Sequence, residues 1–127
     1  MNKDQLSIQD VKNLSAHPRL ETKAIVAEKV STYYNGHTVT GKGMKLAEDI
    51  FRIMVRDVEL KLRQVVAECL KNCHNLPDDI VASVIRDADS VAVPFIKYYA
   101  NLSNEDLIKI LNIPSINKQK AVAQRLN

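Results

Sequence analysis

Four eight-residue stretches of this chain resemble one another: 23–30, 63–70, 92–99 and 119–126. Each has an apolar face at helical spacing around a central small or apolar residue. Those central residues are Ala27, Ala67, Ile96 and Ala123, spaced by 40, 29 and 27 positions. Shorter amphipathic segments lie between them. Units of about 30 to 40 residues, each forming an antiparallel helix pair, are the signature of an α-solenoid. An Ala at the repeated position lets neighbouring helices approach closely.

Local signals agree with an all-α fold. The 127 residues include only three Gly and four Pro, too few turn formers for a β-sandwich or barrel. No stretch alternates with period two for long enough to require a strand. About eight helices are expected, near 8–14, 18–34, 44–55, 57–73, 77–86, 89–100, 103–111 and 115–126. Ser7, Asp57, Ser103 and Ser115 are expected to act as N-caps. Asp78 and Asp79 meet the positive end of a helix dipole. Val58, Leu62, Val65, Val66, Cys69 and Cys73 recur at spacings of three and four, which predicts one buried face. Hydrophobic residues at 46% and charged residues at 26% suit one globular domain spanning 1–127, without a disordered tail.

Composition narrows the function classes. No apolar run approaches the roughly 18 residues that cross a bilayer. The N-terminal ten residues lack the apolar core of a secretory signal. With two cysteines, this predicts a cytoplasmic protein with reduced thiols. The net charge is +3, and the surplus is local: residues 91–127 hold five basic and two acidic side chains.

The motifs that could carry chemistry are incomplete. Gly36 to Gly43 nearly matches a phosphate-binding loop, but Gly43 stands where the Mg²⁺-ligating hydroxyl belongs and a helix precedes it. Cys69, Cys73 and His74 could offer three soft ligands, yet both thiols extend an apolar face and read as core. Glu48–Asp49 and Asp78–Asp79 are adjacent pairs whose side chains diverge by about 100° on a helix; they read as capping and solvated groups. His17, His37 and His74 are dispersed. No cofactor and no metal is called for.

The segment Asp57-Val-Glu-Leu-Lys-Leu-Arg63, followed by Val-Val-Ala-Glu, resembles the second helix of a HEAT-like repeat. There an Asp opens the helix and an apolar-Arg pair follows. Together with Leu6 to Val11, Leu46 to Ile50, Leu76 to Asp79, Asp87 to Pro94 and Leu102 to Leu107, it is similar to the alphaproteobacterial domain of unknown function 2336. The similarity covers residues 6 to 126 in order. It implies a bacterial protein with a HEAT-like helical fold, and no established activity or site residue. Members of that family usually continue further, so the chain reads as the N-terminal part of a longer protein or as a shortened member.

These observations lead to a non-enzymatic interaction or scaffold module with an unknown protein partner. Tyr98 and Tyr99 are adjacent, so only one can point fully into a core; the other, near Lys97, is a contact candidate. Lys97, Tyr98, Tyr99, Lys118, Lys120 and Arg125 form the candidate partner-binding set. The alternative is a nucleic-acid-binding helical repeat using Lys97, Lys109, Lys118, Lys120 and Arg125; the absence of a dense basic run counts against it. A site assembled across helices, making the chain an enzyme, is a third and weaker reading. Weak self-association is expected at the C-terminal end, where Ile110, Leu111 and Ile113 lack a following repeat to cover them.

Overall fold

The computed structural model describes residues 19–36 and 41–125. Seven helices are present among them: α1 (Leu20–Gly36), α2 (Lys42–Met54), α3 (Leu60–Leu70), α4 (Asp78–Ile85), α5 (Asp89–Tyr98), α6 (Asn104–Leu111) and α7 (Ile116–Arg125). All regular structure among the described residues is helical. The helix expected at 8–14, the starts at Ser7 and Pro18, and His17 and His37 lie outside the described residues.

Several helix ends follow the sequence signals. Ser103 closes a capping box: its Oγ accepts from the Asp106 N–H at 3.0 Å, and the Asp106 carboxylate accepts from the Ser103 N–H at 3.0 Å. Ser115 Oγ accepts from the Lys118 N–H at 3.2 Å, at the start of α7. Two expectations are corrected at α3. The helix begins at Leu60 with Glu59 at the N-cap, and Val58 is 97% exposed rather than buried. The cause is Asp57, whose carboxylate is drawn to the Lys23 ammonium at 2.8 Å and also accepts from the Glu59 N–H. It therefore closes a turn before the helix. Cys73 lies beyond the end of α3 and is still buried.

The odd-numbered helices form a row. α1 packs on α3, α3 on α5, and α5 on α7. α2 packs against α1 and α3, α4 against α5, and α6 against α7. Hydrogen bonds fix the direction of the row. Lys23 near the start of α1 reaches Asp57 just before α3, and Arg63 near the start of α3 reaches Asp87 just before α5. Asp89 at the start of α5 accepts from Ser115 and Asn117 at the start of α7. At the other end, Arg125 of α7 donates to the carbonyls of Ile96 and Lys97 in α5. With their starts and ends matched, α5 and α7 run in the same direction.

One apolar cluster joins these elements. Taking Lys23, Arg63, Ala92 and Lys118 as origins, the third and fourth residues onward are buried in every odd helix: Val26 and Ala27, Val66 and Ala67, Phe95 and Ile96, Ala121 and Val122. This corrects the alignment of the last segment by one residue. Ala123, expected as the small inward residue, is exposed, and Val122 takes that place. The alternation Ala-Val-Ala at 121–123 imitates the Ala of the earlier segments. The inward face is set instead by Lys118, which occupies the same position as Lys23 and Arg63.

The Gly-rich stretch has a packing explanation at two positions. Gly41 precedes α2 with φ of 155°, a conformation that favours glycine. Gly43 lies inside α2, where a Cβ would run into the Tyr33 hydroxyl. The helix α1 precedes this stretch, where a phosphate-binding loop has a strand. Residues 37–40 are outside the described part.

Candidate functional site

Cations on the odd helices fall into two groups. The first group is internal. Lys23 and Asp57 side chains are only 11% and 14% exposed, and Arg63 and Asp87 only 22% and 12%. Arg63 grips Asp87 with two nitrogens at 2.8 and 3.2 Å and donates a third bond to the Asp57 carbonyl. A planar guanidinium suits this two-pronged contact. Burial works to raise the Asp57 pKa, but hydrogen bonds from the Lys23 ammonium and the Glu59 N–H hold it below the ordinary carboxylate value.

Lys118 belongs to this internal group, which corrects its place in the candidate set. It is 4% exposed, and its ammonium donates to the Asp87 carbonyl at 2.6 Å. Arg125 is partly buried and spends its donor on the last carbonyls of α5, the negative end of a helix dipole. Tyr99 is also corrected. It is 1% exposed, stacks on Phe95 with centroids 4.7 Å apart, and its oxygen accepts from the Leu76 N–H at 2.8 Å. The backbone leaves helical geometry at Tyr99, with ψ of 122°, so the chain turns away from α5 directly after this residue.

The second group is at the surface. Tyr98 is 60% exposed and is the outward member of the tyrosine pair. The Lys71 ammonium lies 5.1 Å and the Lys97 ammonium 5.5 Å from its ring centroid, within the range where a cation is attracted to an aromatic face. Lys71 also pairs with Glu68 one turn earlier. Lys71 was outside the sequence-derived set. The only signal for it is its place at the end of α3, matching Lys97 in the last turn of α5; that both meet one ring requires the packing of α3 on α5.

Lys97 and Lys120 line one groove of about 470 Å³ between α5 and α7, together with Val93, Pro94, Asn117 and Gln124. Neither ammonium forms an ion pair among the described residues. Asp89, at the mouth, is held below the ordinary aspartate value by hydrogen bonds from Ser115 and Asn117. Lys109 is exposed on α6 and is not part of this groove.

Two further depressions adjoin it. One between α3 and α5 shares Ser90 and Pro94 with the first. The other, between α1 and α3, shares Val65 and Glu68 with the second and carries Glu28 but no cation. The face made by the odd helices is thus acidic toward α1 and basic toward α7. Pro94 has no N–H, so the helical bond to the Ser90 carbonyl is missing at the centre of this face.

The remaining candidate chemistry is structural. Cys73 is buried and its thiol is pushed up to about 12 by desolvation, with the nearby Cys69 adding to the shift; such a thiol is inert. Both cysteines are free, and His74 is exposed. Asp79 of α4 accepts from Arg52 of α2, tying the two helices, and Arg52 also donates to Asp49 one turn earlier in its own helix. No described helix is long and apolar enough to cross a membrane. In comparisons with known proteins, no family model, no curated protein and no solved structure matches this chain.

Proposed function

We propose that this chain is a HEAT-like α-solenoid of antiparallel helix pairs, acting in the cytoplasm as a non-enzymatic protein-interaction or scaffold module. The observation that carries the reading is the face of α1, α3, α5 and α7, where three depressions adjoin through shared residues. Stacked helix pairs use such extended surfaces to bind partners. The recurring buried positions of the four odd helices and the order of the HEAT-like segments support the same view.

The test is a set of photo-cross-linking variants at Gln64, Ser90 and Lys120, with Arg86 as control. The expected result is the same protein adduct from all three face positions and none from Arg86. The purified adduct partner should then bind the wild-type chain in calorimetry, and Ser90→Arg should weaken it. Adducts scattered equally over face and control would defeat the reading.

Nucleic-acid binding is the second reading, motivated by Lys97 and Lys120. It draws less support, because Lys118 and Arg125 are committed to backbone carbonyls. Phosphate binding falls steeply with salt, so a salt titration against generic duplex separates the two. Weak self-association is also proposed, through Ile108 and Leu111, exposed one turn apart on α6. Ile110, expected at that surface, is buried. Sedimentation over a hundredfold concentration range should show reversible dimer formation that Ile108→Lys abolishes.

A further inference from the structure

We infer that the α5–α7 groove is the docking site for a short acidic peptide segment of a partner protein. The inference rests on the interaction-module reading and names the chemistry of the partner at one part of its face.

The groove has an apolar floor and a cationic rim. Val93 and Pro94 supply the apolar part, and Lys97 and Lys120 the charge. The native fold uses neither ammonium in an ion pair among the described residues, whereas Lys23, Arg63 and Lys71 are all paired. The one carboxylate of the groove, Asp89, is already bound by Ser115 and Asn117. With two lysines against one carboxylate, the groove presents a net positive charge to whatever enters it.

Length sets the kind of occupant. Asp89 to Lys97 spans eight helical steps, about 12 Å at 1.5 Å per residue. Three or four residues of extended chain, at about 3.3 Å each, cover that distance. Carboxylates on alternate residues would face Lys97 and Lys120, while an apolar side chain between them would lie on Val93 and Pro94. Tyr98 stands beside the groove and shares the Lys97 ammonium. Tyrosine is enriched among the residues that carry binding energy at protein interfaces. A basic peptide fits the other end of the face, near Glu28, and is repelled here.

The test uses the full chain, labelled with ¹⁵N, and a blocked octapeptide of alternating glutamate and valine. Control probes are the same peptide with lysine for glutamate and a generic 20-base-pair DNA duplex. The expected result is a saturable shift of amides within 93–98 and 117–124, weakened by salt. The double variant K97E/K120E should lose about tenfold in affinity. Tyr98→Ala should weaken binding less and leave the helical circular dichroism unchanged. Shifts elsewhere, an unaltered affinity in K97E/K120E, or tighter binding of the duplex at the same residues would overturn the proposal. Binding of the lysine peptide alone, near α1 and α3, would also overturn it and leave the interaction-module reading standing. No binding of any probe would overturn the acidic-peptide assignment, while the interaction-module reading would still be decided by the cross-linking pattern.

Discussion

The starts and the ends of the odd helices carry similar residues and put them to different use. At the starts, Lys23, Arg63 and Lys118 are buried or nearly so, and each meets an oxygen of the turn before α3 or α5. At the ends and along the outer groove, Lys71, Lys97 and Lys120 reach the surface around Tyr98 and the α5–α7 groove. The difference is the neighbour. Asp57 and Asp87 stand directly before a helix that packs on the preceding one, so a cation there finds a fixed acceptor. Among the described residues no carboxylate pairs with Lys97 or Lys120. A cation with a buried acceptor serves the fold, and one without it stays at the surface.

Four measurements probe this contrast. The largest effect is expected beneath the starts. Leu62 is completely buried beside Arg63 in sequence, and Leu62→Ala should cost about 2–5 kcal/mol in urea unfolding. Next, Asp87→Ala removes the carboxylate gripped by Arg63 and strands that guanidinium in a largely buried site, which should cost about 3 kcal/mol, while Lys118 keeps the backbone carbonyl it bonds. A cost under about 0.5 kcal/mol would mean that these pairs are no different from surface ones.

The third measurement is pH dependence. Asp57 has a folded pKa below its ordinary value of 3.8. The unfolded chain therefore binds more protons in this range, and stability rises with pH. The contribution of Asp57 is complete above about pH 4 to 5 and is lost as pH falls through the lower folded value. Wild-type melting temperature should drop across that window, and Asp57→Asn should show a shallower slope there with a lower plateau above it. Equal slopes would remove Asp57 from the acid response.

The smallest effect belongs to the surface group. Lys97→Ala and Lys120→Ala should each change stability by less than about 0.5 kcal/mol. Lys118→Ala, two residues from Lys120, should cost more, because the Asp87 carbonyl then loses its buried donor. If all three lysines behaved alike, the division between the two groups would fail.

Much of the local structure can be read from residue order. The helical periodicity, the capping box at Ser103 and the stop after Leu111 depend on contacts within a few residues, so local chemistry specifies them. The equal place of Lys23 and Arg63 in two similar segments also marks the internal pairs, once an Asp is noted before each following helix. That one of Tyr98 and Tyr99 is exposed follows from simple geometry, since two adjacent side chains cannot both enter one core.

What residue order left open was decided by long-range packing. Nothing local distinguishes Lys118 from Lys120, or Tyr99 from Tyr98, because each pair has the same chemistry at nearly the same position. Which one is buried depends on the angle at which α7 and the end of α5 meet their neighbours, and on the carbonyl or N–H that waits there. Val58 was misplaced for the same reason: Lys23, 34 residues before Asp57, pulls that carboxylate out of a capping role. Sequence determined that the described residues are helical and, α3 apart, about where their helices begin. Only the tertiary structure decided which cations are internal, because a charge is buried or exposed according to a partner that lies far away along the chain.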